Sequence, residues 1–353
     1  MKKIVLIFLF TVSCFLISSA EHLKGGWIFY EYIGPGNTPN TSKYKITVKQ
    51  YMKCGFLNEG QQDQSVFLGI FDGASNQLIK TETIPLTGTV FDEKKDFMCI
   101  VSPPQVCYRI DQYVTTIDLP DNFDGYILSV QRCCRIYGIV NVDNSNNVGI
   151  TYTNKIPGII NGKSYRNNSS PVFAQKDTAI VCYNAPFTFD FSATDVDGDS
   201  LSYSFIDGLL GGNGSQTGAR PNPPTLPPPP YIPNAVIPYT PGYSGTSPLG
   251  PSVIIDPITG IISGIAPSTI GTYVIAVVAN EYRSGVLIGS TRKEIHISVA
   301  SCNLLAAELL PDNNCDGFTK TFKNNLPTPS NASFAWDFGV AGITTDVSNL
   351  QNP

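Results

Sequence analysis

Three carboxylates alternate through Asp195-Val196-Asp197-Gly198-Asp199, inside the stretch SATDVDGDSLSYSF. Oxygens crowded in this way suit a hard divalent cation. Calcium takes about six to eight oxygens, from carboxylates and backbone carbonyls. An EF-hand loop wants Gly at its sixth position and Glu at its twelfth. Counted from Asp195, those positions hold Ser200 and Ile206, so the segment is not an EF-hand. What is left is a calcium site in a loop between strands, with Asp195, Asp197 and Asp199 as ligands and Glu281 of ANEYRSG completing the set. The competing reading is a solvated acidic turn, because Asp and Gly are both turn formers. Spacing alone does not separate the two.

Catalytic chemistry finds less support. The chain has only two histidines. His22 sits near the expected mature N-terminus. His296 lies in EIHISV, where Ile295, Ile297 and Val299 take the core parity and His296 is expected to face solvent. Neither a G-x-S-x-G nucleophile turn nor an H-E-x-x-H zinc helix occurs. A carboxylate pair for glycoside hydrolysis is defined by separation in space, which sequence does not reveal. The expectation is a protein that is not an enzyme.

Cysteine usage points to an oxidising compartment. Cys14 falls in the N-terminal apolar run, and eight more follow: Cys54, Cys99, Cys107, Cys133, Cys134, Cys182, Cys302 and Cys315. An even number in an exported chain reads as disulfides. No C-x-x-C occurs, which counts against a metal alternative. Adjacent strand residues face opposite sides, so Cys133 and Cys134 are expected to take different partners. Shared parity with apolar residues suggests Cys54–Cys134. Proximity suggests Cys99–Cys107 and Cys302–Cys315, which leaves Cys133–Cys182 to tie a first domain to a second.

The elements that must position these residues are strands. Only 14% of the 353 residues are charged, while Gly (31), Pro (27) and Tyr (17) are plentiful. KYKITVKQY (43–51), SVFLGIFD (65–72), YVTTIDL (113–119) and GYILSVQR (125–132) alternate β-branched or aromatic residues with polar ones, between turn clusters such as DGASN (72–76). No stretch keeps a helical apolar period. Residues 1–20 read as a signal peptide: Lys2 and Lys3, the apolar run Ile4–Ile17, then Ser18-Ser19-Ala20. That run is shorter than the roughly 20 residues of a spanning helix, so the chain is expected to be exported, with no membrane span in this region. The net charge of −5 argues against nucleic acid or an anionic membrane as partner. The expected organisation is a β-sandwich over 21–160 and a second over 161–300. A Pro-rich insertion at 208–251 is expected to pack along the second sandwich. A third segment, 301–353, is too short to complete a sandwich, so the chain is expected to run on beyond Pro353.

Several stretches resemble known families. ATDVDGDSLSYSF, followed by IDPITGIISGIAPSTIGTYVIAVVANEYRSG, is similar to the cadherin-like and putative-Ig modules of bacterial surface proteins, and NSSPVF resembles their opening strand. Glu281 stands where cadherins carry a strand-end Asp. FAWDFGVAG (334–342) resembles the polycystic-kidney-disease (PKD) module up to Gly339, with Val340 in place of its second Asp. GGWIFYEYIG, KYKITVKQYMKC, LSVQRCCRI, PGYSGTSPLGP and EYRSGVLIGSTRKEIHISVASC together resemble large secreted, gliding motility-associated, PKD-containing proteins of Bacteroidetes. The resemblance implies an all-β chain of tandem antiparallel Ig-like or cadherin-like sandwiches, the last one incomplete. It implies type IX secretion, display on the cell surface and adhesion to surface polysaccharide or matrix components, with calcium bound by the acidic loop. It transfers no catalytic residue. The alternative is a carbohydrate-binding accessory region of a secreted glycan-degrading enzyme. In an adhesive first domain, Tyr30, Tyr32 and Tyr51 are candidates to stack on sugar rings, unless they are core or sheet-face residues.

Overall fold

The alternation of apolar and polar residues produces strands throughout. In the computed structural model, residues 23–54, 62–94, 100–101, 106–174, 179–212, 220–222, 224, 236–304, 333–339 and 342–351 are described. The expected signal peptide (1–20), Cys14, His22, Cys99, Cys315 and most of the proline tract lie outside these residues. Of the described residues 58% are strand and 1% helix, an all-β fold with large antiparallel sheets.

The first half contributes β1 (Leu23–Pro35), β2 (Thr41–Lys53), β3 (Ser65–Asp72), β4 (Leu78–Lys94), β5 (Val106–Pro120), β6 (Tyr126–Arg132) and β7 (Ile150–Ile156). The second half adds β8 (Ala179–Cys182), β9 (Pro186–Asp190), β10 (Ser200–Phe205), β11 (Val253–Ile255), β12 (Ile261–Ile265), β13 (Gly271–Arg283) and β14 (Val286–Ala300). One 11-stranded sheet runs β10-β13-β14-β1-β2-β5-β4-β3-β6-β7, with β8 added parallel to β14. A three-stranded sheet, β9-β12-β11, covers one face of its β13–β14 end.

The long strand β4 folds this sheet over. Its first half pairs with β3 and its second half with β5, with a register shift between Leu86 and Gly88. β7 is thereby brought back across β1, where Tyr152 Oη donates to Gly25 O (2.9 Å) and Asn154 Nδ2 to Ile28 O (2.9 Å). Between the layers lie Ile28, Tyr30, Ile46, Val48, Leu68, Ile70, Leu128 and Tyr113, all buried. Each such side chain contributes about 1.5–3 kcal/mol when fully buried.

Strand β1 serves two cores. Ile28 and Tyr30 enter the one just described. Trp27, on the opposite parity, joins Tyr51, Tyr108, Phe173 and Phe191 with Ile275, Val277, Ile295 and Ile297 of β13 and β14. The junction is direct backbone pairing, with Gly25 opposite Ile295, Gly26 opposite Glu294 and Trp27 opposite Lys293. Gly25 permits that approach, since a Cβ there would lie 2.0 Å from Glu294 O, at φ +126°; at Gly26 (φ +148°) a Cβ would instead strike Lys49 O of β2 at 2.4 Å and the Tyr152 ring. Strands from both expected sandwiches therefore share one sheet through the β1–β14 pairing.

The other face of β13 and β14, at Val274, is covered by Ile139, Val142 and Val148 of segment 135–148 and by Leu210, Ile237 and Tyr239. This overturns the surface placement of His296, which is fully buried. Its parity was read correctly as opposite to Ile295, but that face is also roofed. Tyr30 and Tyr51 are buried too, at 1% and 0% exposure, so neither presents a stacking surface; Tyr32 is half-buried.

The expected disulfide pairings are also corrected. Cys54 bonds to Cys107, Cys133 to Cys134, and Cys182 to Cys302. Cys54–Cys134, Cys99–Cys107, Cys133–Cys182 and Cys302–Cys315 are thereby excluded. The reason is register. β2 and β5 pair with Lys53 opposite Tyr108, which sets Cys54 beside Cys107. β8 runs alongside β14 with Cys182 opposite Ala300, two residues from Cys302. β6 ends at Arg132, so strand parity does not govern Cys133 and Cys134. In the last segment, β15 (Trp336–Asp337) pairs with β16 (Val347–Ser348), and Trp336 is half-buried.

Candidate metal centre

The acidic loop links a two-residue strand, Ala193–Thr194, to β10. The short side chain of Asp195 shapes it, since Oδ1 accepts hydrogen bonds from the amides of Asp197 (3.0 Å) and Asp199 (3.0 Å). This is the Asx-type closure expected of such a loop. It turns Asp195 inward, and its second oxygen, Oδ2, is buried with no hydrogen-bond partner among the described residues.

Glu281 arrives from β13, paired with Leu201 of β10 on one side and Gly289 of β14 on the other. Gly289 makes the room, because a Cβ there would stand 2.6 Å from Glu281 Oε2. Glu281 is 0% exposed, and neither of its oxygens has a hydrogen-bond partner among the described residues. A buried carboxylate without a partner is costly. Accordingly, burial first, then the facing Asp199 and the charge of Asp195, push the Glu281 carboxyl up to about 9. Asp195 is raised as well, by burial and then by its acidic neighbours.

The structure thus brings together all four acidic residues singled out from sequence. Asp195, Asp197, Asp199 and Glu281 each offer an oxygen within 4.8 Å of the others, forming a group able to hold a metal ion. An all-oxygen donor set suits a hard cation rather than a transition metal. The orphaned oxygens of Glu281 and Asp195 and the space kept open by Gly289 fit that assignment.

Sequence reasoning missed three residues here: Arg283, Asn168 and Gly289. The Arg283 guanidinium grips Asp199, with Nε 2.8 Å from Oδ1 and Nη2 2.6 Å from Oδ2. Nη2 also reaches Asp197 Oδ2 (3.2 Å) and Asn168 Oδ1 (2.6 Å). Burial would raise the Asp199 carboxyl, but hydrogen bonds and charge from Arg283 outweigh it and hold Asp199 below its usual range. The available signal was the two-residue spacing of Glu281 and Arg283 along one strand, which tends to set side chains on one face.

The cluster is also tied to β1. Ser169 N donates to Asp197 Oδ2 (2.7 Å), while Tyr32 N donates to Ser169 Oγ (3.1 Å) and Tyr30 N to Ser170 Oγ (2.9 Å). Asn168, Ser169 and Ser170 are all buried. No helix among the described residues is long and apolar enough to cross a membrane. No protein-family model matches the chain, and no curated protein matches it.

Proposed function

We propose that this chain is a non-enzymatic part of an exported cell-surface protein, serving adhesion or surface architecture. The observation that carries this reading is the β1–β14 pairing. It joins two sandwiches in one sheet, and disulfides between strands distant in sequence close that sheet further. Such construction suits an oxidising exterior, where disulfides persist. The resemblance to gliding-associated, PKD-containing surface proteins of Bacteroidetes supports the same reading.

The ion proposed for the acidic cluster is calcium, which extracellular modules bind with weak affinity, on the order of 10⁻⁴–10⁻³ M. The proposed partners are surface polysaccharide or matrix components. The test is to apply the purified chain, with calcium, to a broad glycan array and to polysaccharide-coated surfaces. Retention on such a surface supports adhesion. Failure on all of them leaves a spacer role in its place. Selective capture by one soluble glycan class would favour the accessory region of a glycan-degrading enzyme.

A further inference from the structure

Within the cluster, the carboxylates divide into two unequal halves. Asp199 gives both oxygens, and Asp197 one, to Arg283. Asp195 and Glu281 receive no hydrogen bond from that guanidinium among the described residues, and Asp195 Oδ2 and both Glu281 oxygens are buried and unpartnered. Arginine is permanently charged, and its planar fork matches a carboxylate. It is therefore a resident cation that occupies part of an acidic site for good.

The affinity of an oxygen site for calcium follows the number of charged ligands it can commit. Four carboxylates in a group this tight would make a strong site, or one with room for two ions. With Arg283 in place, one positive charge offsets one of the four carboxylates. The two residues with orphaned oxygens are left as the main donors.

Building on the cation reading above, we infer that Arg283 is an internal competitor that limits this cluster to a single, weakly held divalent cation seated on Asp195 and Glu281. Asn168 Oδ1 accepts a 2.6 Å bond from the same Nη2 that holds Asp199, and so helps keep the competitor in position. The acidic residues supply the attraction; Arg283 sets its strength.

The experiment is a calcium titration of the whole chain by calorimetry, paired with thermal melts in calcium and in chelator, for wild type, Arg283→Met and Arg283→Lys. The expected result is one calcium for wild type. For Arg283→Met, at least tenfold tighter binding and a larger calcium-dependent rise in Tm are expected, with Arg283→Lys between them. Unchanged or weaker binding by a folded Arg283→Met overturns the inference while leaving the cation reading intact. Should Arg283→Met unfold in chelator, recovery of its melt on adding calcium supports the inference. If it fails to fold even in calcium, Arg283→Lys decides, and affinity no tighter than wild type overturns the inference. If wild type binds no calcium but Arg283→Met does, the competitor role stands and the native calcium site falls. Absence of binding in all three overturns both.

Discussion

Arg135 and Glu294 form a buried two-pronged ion pair across 159 residues of sequence, with Nε 2.9 Å from Oε1 and Nη2 2.8 Å from Oε2. Arg135 is fully buried and also donates to the carbonyls of Gly149 and Leu209. It thus ties the segment after β6 to β14 and to the 207–212 stretch. Removing one partner strands a buried charge, at a cost of about 3–5 kcal/mol. Glu294→Gln and Arg135→Met should each lower the unfolding free energy from urea denaturation by that order. The double variant should cost less than the sum of the two, and strict additivity would show that the pair is not coupled.

Gly25 should tolerate no side chain, because a Cβ would strike Glu294 O at 2.0 Å. Gly25→Ala is expected to separate β1 from β14. Denaturation followed by tryptophan fluorescence should then resolve two transitions where wild type shows one. A single transition at an unchanged midpoint would mean that the β1–β14 pairing does not couple the two sandwiches.

His296 gives the fold an acid-sensitive point. Burial first, then the positive charges of Lys24 and Arg135, hold its pKa well below 6.5, and neither ring nitrogen has a hydrogen-bond partner among the described residues. A group that is neutral in the fold but protonates in the unfolded chain lends stability above the unfolded pKa of about 6.5, and that stability is lost as pH falls below it. Urea midpoints should therefore drop between pH 7.5 and pH 5. His296→Leu should flatten that dependence, and an identical slope in the variant would assign the acid sensitivity elsewhere.

The disulfides should differ sharply in worth. Cys182–Cys302 spans 120 residues, and in the chain-entropy model its removal costs about 4–5 kcal/mol. Cys54–Cys107 spans 53 residues and should cost a little less. Cys133–Cys134 joins neighbours and closes no long loop. Alanine pairs at each bridge, compared by urea denaturation, should follow that order.

Glu281→Gln should act differently with and without calcium. In chelator at pH 7 burial already holds the Glu281 carboxyl protonated, its pKa pushed up to about 9, so the neutral Gln should leave Tm nearly unchanged. The increment on adding calcium should shrink or vanish. Equal increments in wild type and variant would place the ion elsewhere.

Local pattern carried the strands and the acidic loop, and long-range pairing did not show in it. Tyr44, Ile46 and Val48 announce β2 by alternation, and Asp195, Asp197 and Asp199 announce an oxygen-rich loop by spacing. Glu281 was singled out with them from ANEYRSG, but the pairing of β10 beside β13 that brings it to the loop does not show in local pattern. The errors share one cause. Parity tells which residues share a face, as it did for His296 and Ile295, but not whether that face is roofed. Nor does it name the strand alongside, and register between strands decided both long-range disulfides. Nothing local to GGWIFYEYIG says that its glycines meet β14, roughly 270 residues later.

The β1–β14 junction also fixes how the body would respond to tension. The strands are antiparallel, and Gly25 faces Ile295. The chain therefore leads into the paired sandwiches at Leu23 and out at Ala300 from the same end of the sheet. Pulling on those two points would part the β1–β14 hydrogen bonds one after another, as a zipper opens, instead of shearing them together.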